Sequence, residues 1–357
     1  MTAFVFRRLM SGCMVLAGVA VLVFMLFTVL PADPARMVLG QRADSTSLAS
    51  VRRELGTDQP VAVQFVKFID DLSPVSYYSN NDESPFFRDI ASYNCVRLFK
   101  AEMGDWVIKF PYLRRSYQSR KEVSSMLYER LPETAILAVA AMFIATVAGV
   151  FLGLVAAINK DSFIDKSCLL FSVFFVSIPS FFAAILFAWL FGYVLGSWTG
   201  LPMTGGWTEI DPFEGEFVAW RNLILPAIVL GLRPLAIIMQ LTRGSMLEVL
   251  SMDYIRTARS KGLDSRSVLL VHALKNAMNP VVTAVSGWLG SLLAGAVFVE
   301  FIFGWNGIGK MTVTALENYD MPVVMGVVLF ISFVFITINI LADVLNGRLD
   351  PRIRLQA

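Results

Sequence analysis

Residues Gly304–Thr312, GWNGIGKMT, carry the spacing G-x-x-x-x-G-K of a phosphate-binding loop. Such a loop cradles nucleotide phosphates with backbone N–H groups, and its Lys reaches the outer phosphates. The next position should be Ser or Thr, to hold magnesium. Here it is Met311, and Thr312 comes one residue late. Other chemistry-bearing residues are sparse. The one histidine, His272, cannot build a metal site alone, and Cys13, Cys95 and Cys168 show neither metal-ligand nor disulfide spacing. Arg233, in LGLRPLAII, and Glu300 and Asp343 are ionisable groups embedded in or bordering apolar sequence. No metal site and no catalytic residue is expected.

What must position these residues is a set of membrane-spanning helices. Of 357 residues 56% are hydrophobic and only 16% charged, with a mean hydropathy of +0.64. A soluble domain carries about 25% charge. Five runs lack any Asp, Glu, Lys or Arg: Leu9–Leu30, Thr134–Ile158, Ser167–Trp198, Pro280–Val299 and Met321–Ala342. Each has the roughly 20 residues that a helix needs to cross the hydrocarbon core. A sixth, Asn222–Thr242, is apolar except for Arg233. The expected fold is therefore an all-α integral membrane protein of six transmembrane helices. Leu9–Leu30 is too long for the apolar part of a cleaved signal peptide and is read as an uncleaved first helix.

Basic residues in short loops set the orientation. Arg7 and Arg8 precede the first span, Lys160 and Lys166 separate the second from the third, and Arg348, Arg352 and Arg354 follow the sixth. Arg243, Arg256, Arg259, Lys261, Arg266 and Lys275 lie between the fourth and fifth. The short loops near 199–221 and 304–320 hold only Arg221 and Lys310. Both termini are thereby placed in the cytoplasm, with 1–30 as an N-terminal helix and 351–357 as a cytoplasmic tail. Residues 31–133 form a long external loop, and 134–350 form the core of five further spans. In the external loop SVRRELGTDQPVAVQFVKFIDDL reads as helical, and SPVSYYSNNDESPFFRD is turn-rich.

The cytoplasmic stretch 243–280 has helical character of its own. Met246, Leu247, Val249 and Leu250 form one apolar face, and Val268, Leu269, Val271 and Leu274 another. Between them DYIRTARSKGL makes a short helix ended by Gly262, with Asp264 or Ser265 placed to cap the next. Two readings are open: an amphipathic loop held on anionic lipid, or a docking element for a soluble partner.

DYIRTARSKGL followed by HALKNAMNPVV resembles the cytoplasmic loop of ABC-importer permeases of the dipeptide/oligopeptide/nickel class. The E-A-A-x-x-x-G pattern of importer permeases is reduced here to Ala258 and Gly262, with Arg256 where the Glu would stand, a departure typical of the peptide branch. FVFRRLM, LPADPA, RLPETAIL, SIPSFF, LTRGSMLEVL, FVEFIFGWNGIGK and YDMPVVMG also follow the family's order, whereas residues 73–103 match no block of it.

The resemblance implies the type I ABC-importer permease fold and a non-catalytic subunit that binds no cofactor. It further implies pairing with a homologous second permease, two cytoplasmic ATPase subunits that hold ATP and magnesium, and an external solute-binding protein. Membrane lipid surrounds the spans, and no nucleic acid is expected at a net charge of +2. Peptides are the expected cargo; a nickel chelate, glutathione or an oligosaccharide are the alternatives within the class. The resemblance makes Asp253, Tyr254, Arg256, Thr257, Ala258, Lys261, Gly262 and Leu263 the ATPase-coupling residues. Tyr254 and Leu263 would be apolar anchors, Ala258 would permit close approach, and Arg256 and Lys261 would pair with acidic groups on the ATPase.

Arg233 has three readings: a pathway residue meeting peptide carboxylates or carbonyls, a partner for an acidic group on the second permease, or a side chain snorkelling to water. Pro234 beside it is expected to kink the fourth span and Pro179 the third. An intramembrane protease is disfavoured, because His272 is cytoplasmic and no spans offer two central Asp. An ion-coupled secondary transporter is disfavoured because no central acidic ligand or repeat is present. GWNGIGKMT itself falls on the external side, where Gly304, Gly307 and Gly309 serve an outer turn rather than a nucleotide.

Overall fold

The computed structural model describes residues 2–29, 34–39, 44–79, 95–101, 104–213 and 215–349. In chain order the first helices are α1 (Thr2–Val29), α2 (Pro34–Leu39), α3 (Ser45–Leu55), α4 (Val61–Leu72), α5 (Val123–Ile158), α6 (Phe163–Ser177), α7 (Ser180–Phe187) and α8 (Gly196–Thr199). They continue as α9 (Arg221–Leu250), α10 (Asp253–Ser260), α11 (Ser265–Ser267), α12 (Leu274–Gly295), α13 (Val297–Phe303), α14 (Ile308–Glu317) and α15 (Met321–Leu349). Wider π-helical turns occupy Ala188–Val194 and Val268–Ala273.

Among the described residues, five stretches are long and apolar enough to cross a membrane: Phe6–Thr28, Val123–Ile158, Arg221–Leu250, Ser265–Leu293 and Met321–Val344. The sixth is broken. α6 and the helix from Ser180 to Val194 meet at a bend of 107°. The break has a local cause: Pro179 has no N–H and disfavours a helical residue before it, and Ile178 is extended at φ −74°, ψ 130°. α9 runs unbroken from Arg221 to Leu250 through both Pro226 and Pro234, so Pro234 does not end the fourth span. α9 is the most enclosed span: its apolar stretch is 72% buried, against 33% or less in the other four.

The chain divides into two compact units. One comprises residues 1–10, 130–311 and 333–357. Its core gathers Leu137, Ala141 and Ala145 of α5 around Leu225, Leu232 and Ile238 of α9, with Val299, Phe303 and Trp305. Small residues set the closest approaches: a Cβ at Gly153 of α5 or at Gly231 of α9 would strike backbone of the facing helix. α6 is tied to α9 at three heights. Arg243 Nε and Nη2 donate to the two carboxylate oxygens of Asp165 at 2.5 and 2.7 Å, Gln240 Nε2 donates to Ser172 Oγ at 2.8 Å, and Arg233 Nη2 donates to the carbonyl of Val176 at 3.4 Å. At the other end of the chain Arg8 Nε lies 3.2 Å from Asp343 Oδ2, so residues near the start of α1 and near the end of α15 meet.

The other unit comprises residues 11–129 and 312–332. Here the expected helices of the external loop are present as α3 and α4. Asp44 caps α3, and Gly56 ends it in the left-handed region at φ 70°. Phe65 and Phe68 of α4 pack on Phe24, with Ala20 and Leu329 in the same cluster. The sequence reading does not anticipate the three-stranded antiparallel sheet, in order β1-β3-β2, built from β1 (Val75–Ser79), β2 (Cys95–Ala101) and β3 (Gly104–Lys109). β1 and β2 fall in the stretch that matches no family block, and β3 follows it; residues 80–89 of the turn-rich segment lie outside the described residues. A two-stranded hairpin, β4 (Thr208–Asp211) with β5 (Gly215–Val218), belongs to the first unit. The tail 351–357 also lies outside the described residues.

Candidate functional site

The loop between α9 and α12 begins where α9 ends at Ser251 and Met252 turns extended, which starts α10 at Asp253. Asp253 in the first turn and Arg259 in the last both suit the helix dipole. α10 is held from beneath by Ile255. Ile255 is fully buried in a cluster with Ala157, Met246, Val249, Val268, Ala273 and Ala277, a burial worth about 2–3 kcal/mol. Ala258 is half-buried and packs on the same cluster, so it faces inward.

The opposite face is open. Asp253, Tyr254, Arg256, Thr257, Lys261, Gly262 and Leu263 are all exposed, with Tyr254 and Leu263 near 40%. Tyr254 is more than an apolar contact: its hydroxyl accepts from Asn276 Nδ2 at 2.9 Å, which fastens α10 to α12. Arg256 Nη1 stands 3.6 Å from Asp253 Oδ1, a solvated pair one turn apart.

The helix ends as a Schellman motif. The N–H of Gly262 bonds to the carbonyl of Arg259 at 2.9 Å, and that of Leu263 to the carbonyl of Ala258 at 3.3 Å. Gly262 stands at φ 77°, while a Cβ there would meet nothing within 4 Å, so backbone conformation alone selects glycine. Asp264 then caps α11 by accepting from the N–H of Arg266 at 3.1 Å. The result is a short cationic helix and turn, held by Ile255 from beneath and free on its outer face.

Two features of this site escape a sequence reading. Ile255 has no partner in its own helix that would mark it as an anchor, although it is the one large aliphatic residue in DYIRTARS. Val271, placed in the second apolar face by a 3.6-residue period, is 59% exposed. The segment Val268–Ala273 is π-helical, and its wider turn shifts the phase of that face.

GWNGIGKMT also takes a definite form. It is preceded by a helix, α13, and not by a strand. Gly304 ends α13 in the left-handed region at φ 70°. The N-terminus of α14 does cradle an anion, but the anion belongs to the chain: Glu300 Oε2 accepts from the N–H groups of Gly309 at 2.6 Å and Lys310 at 3.3 Å. Glu300 Oε1 accepts from Thr134 Oγ1 at 2.8 Å, and Thr134 Oγ1 accepts from the N–H of Ile308 at 2.8 Å. A Cβ at Gly307 or Gly309 would strike the Glu300 carboxylate. Lys310, in the position of a phosphate-binding lysine, donates instead to the carbonyl of Gly304 and to Asn306 Oδ1, each at 3.0 Å. Glu300 lies beyond the spanning stretch Ser265–Leu293. Burial pushes its carboxyl up to about 7, against the pull of hydrogen bonds from Thr134, Gly309 and Lys310. The turn is a self-filled anion site.

Arg233 is exposed on α9, and the carbonyl of Val176 is its one hydrogen-bond acceptor among the described residues. That carbonyl is among the last of α6, which lack intrahelical donors.

Comparison with known proteins places this geometry. Residues 149–355 match the family described as binding-protein-dependent transport system inner membrane component, and residues 1–88 match its N-terminal model. A Brucella abortus (strain 2308) chain, provisionally named a peptide transport system permease protein, is 38% identical over 356 residues, covering 99% of each chain. The di/tripeptide transport system permease protein of Pseudomonas aeruginosa is 35% identical over the whole of both chains. The dipeptide transport system permease protein of Escherichia coli (strain K12) is 34% identical over 99% of each. Among solved structures, an inward-facing MetNI methionine ABC transporter chain aligns over 64% of this chain and 97% of its own, with a TM-score of 0.50 and 16% identity, a likeness of fold.

Proposed function

The chain belongs to the family of binding-protein-dependent transport system inner membrane components, and on that premise we propose that it is one permease subunit of an ATP-driven peptide importer. Full-length similarity to di- and tripeptide permeases supports peptides as the cargo over a nickel chelate, glutathione or an oligosaccharide.

In this reading 1–30 is the first span, 31–133 an external region, and 134–350 the permease core, which forms half of the pathway with a homologous second permease. A solute-binding protein delivers the peptide from outside. Two ATPase subunits on the cytoplasmic side carry the nucleotide, so this chain hydrolyses nothing itself. The pairing of Arg8 with Asp343 supports the start of α1 and the end of α15 on one face of the membrane, and the basic loops favour the cytoplasmic one.

One observation carries the proposal: α10 is anchored from beneath by Ile255 and presents its cationic outer face free of the chain. A short helix held in this way moves with α9 and α12 as a body. Closure of an ATPase dimer against it becomes a tilt of those spans, which is how alternating access is driven. Arg256 and Lys261 meet acidic groups of the ATPase, Tyr254 and Leu263 supply apolar contact, and Asp253, Thr257, Ala258 and Gly262 shape the helix and its turn. Gly304, Gly307 and Gly309 form the outer turn at the other end of the core.

The test is charge reversal on the reconstituted importer. Arg256→Glu with Lys261→Glu should leave the complex able to insert and fold but cut peptide-stimulated ATP hydrolysis and uptake about tenfold or more, since each reversed contact costs at least about 1 kcal/mol. Unchanged uptake in the double variant would contradict the assignment of this face.

A further inference from the structure

The exposed surfaces of the spans differ in kind. α5 shows Val139, Phe143, Val147 and Phe151, four residues apart, each 55–68% exposed. α6 shows Leu170, Val173 and Phe174. These are the surfaces that hydrocarbon accepts. α9, otherwise the most enclosed span, has one open stripe, and it is polar: Arg233, Gln240 and Gly244 are exposed and Ile237 half-buried. At 100° per residue these positions fall on one line of the helix. One turn and two turns above Arg233, Val229, Leu230 and Pro226 are buried, so the stripe is blind at Arg233 and open toward α10. Polar side chains on a span face a water-filled cavity or a polar partner, because lipid makes them costly.

The blind end carries the charge. Arg233 has five N–H donors and spends one, at 3.4 Å, on the terminal carbonyl of α6. That bond holds the guanidinium beside the carbonyl end of α6. The remaining donors form the planar fork that grips a carboxylate through two parallel bonds.

We propose that this stripe of α9 is a wall of the hydrated passage, and that Arg233 at its blind end binds a carboxylate of the passing solute, for which a peptide's free C-terminus has the matching chemistry. The proposal rests on the importer reading and adds to it the site and the group recognised. Glu248, at the open end, stands about 22 Å from Arg233 along the helix and leaves the field at the blind end positive.

The test uses thiol chemistry on the complete importer in liposomes, with Cys13, Cys95 and Cys168 changed to Ser. Single variants Ile237→Cys, Gln240→Cys and Gly244→Cys are compared with Phe143→Cys and Phe151→Cys on the lipid-type face. A Cβ at Gly244 meets nothing within 4 Å, so that variant introduces no clash. The probes are two membrane-impermeant methanethiosulfonates, one carrying a sulfonate and one a trimethylammonium group. The stripe thiols should react at least tenfold faster than the Phe143 and Phe151 thiols in at least one nucleotide state. At Ile237→Cys, one turn from the guanidinium, the anionic reagent should be favoured about tenfold, a preference lost when Arg233→Gln is added.

Three results would overturn the proposal. Stripe thiols no faster than the lipid-face thiols would place the stripe against lipid, and stripe thiols silent in every nucleotide state would seal it against the second permease. An absent anionic preference would remove Arg233 from the recognition role. ATP-dependent uptake of a labelled dipeptide by the cysteine-free importer, measured in the same liposomes, reports separately on the importer reading.

Discussion

Glu300 is the residue on which the turn at Gly304–Lys310 depends. Its carboxylate occupies the N-terminus of α14, where backbone N–H groups converge, and Gly307 and Gly309 are glycine because a side chain there would take its space. Burial raises its pKa to about 7 from an ordinary 4.5. Between those values the folded turn binds more protons than the unfolded one, so this group's contribution falls as pH rises from about 4.5 to about 7 and stays low above that. Glu300→Gln keeps an acceptor for Gly309 and should flatten this dependence in the thermal unfolding of the purified subunit. Glu300→Ala strands buried N–H groups and the Thr134 hydroxyl, and should cost about 3 kcal/mol at any pH. Gly307→Ala should be at least as damaging, through direct collision with Glu300 and Thr134. An unfolding midpoint in Glu300→Gln that still follows the wild-type pH curve would show that another group sets it.

Among elements, α6 and α9 are joined through Asp165 and Arg243. Asp165 is almost fully buried, accepts from Arg243 through both oxygens and also accepts from the N–H of Asp161 at 2.9 Å. Removing one partner of such a pair strands the other charge. Asp165→Ala and Arg243→Ala should each lower stability by about 3 kcal/mol, and the double variant by much less than the sum. Additive losses in unfolding midpoints would show that the pair is not coupled. The elements also show what a sequence can disclose. Uncharged runs give the spans and Gly262 gives the end of α10, because burial in lipid and a left-handed backbone leave direct marks on residue type. Asp165 and Arg243 stand far apart in the chain, and nothing in either neighbourhood announces their meeting. Val271 is misplaced by periodicity because its segment winds with a wider turn.

At the scale of the molecule, the loop between α9 and α12 and the turn at Gly304–Lys310 divide the labour. The turn has the spacing of a nucleotide site and is filled by the chain's own Glu300, whereas the loop has no nucleotide motif and is, in the function proposed, the surface offered to the subunits that hydrolyse ATP. The distinction was legible in part, from the charge asymmetry of the loops and the Met at position 311; the occupant of the α14 N-terminus required the fold. The central claim is that transport through this chain is powered by separate ATPase subunits docked at α10. Uptake of a radiolabelled dipeptide into liposomes bearing this chain, its second permease and the solute-binding protein tests it most directly, with and without the ATPase subunits and with ion gradients collapsed by ionophores. Uptake should require the ATPases and ATP and be indifferent to the ionophores; uptake that persists without the ATPases and vanishes with the ionophores would contradict it.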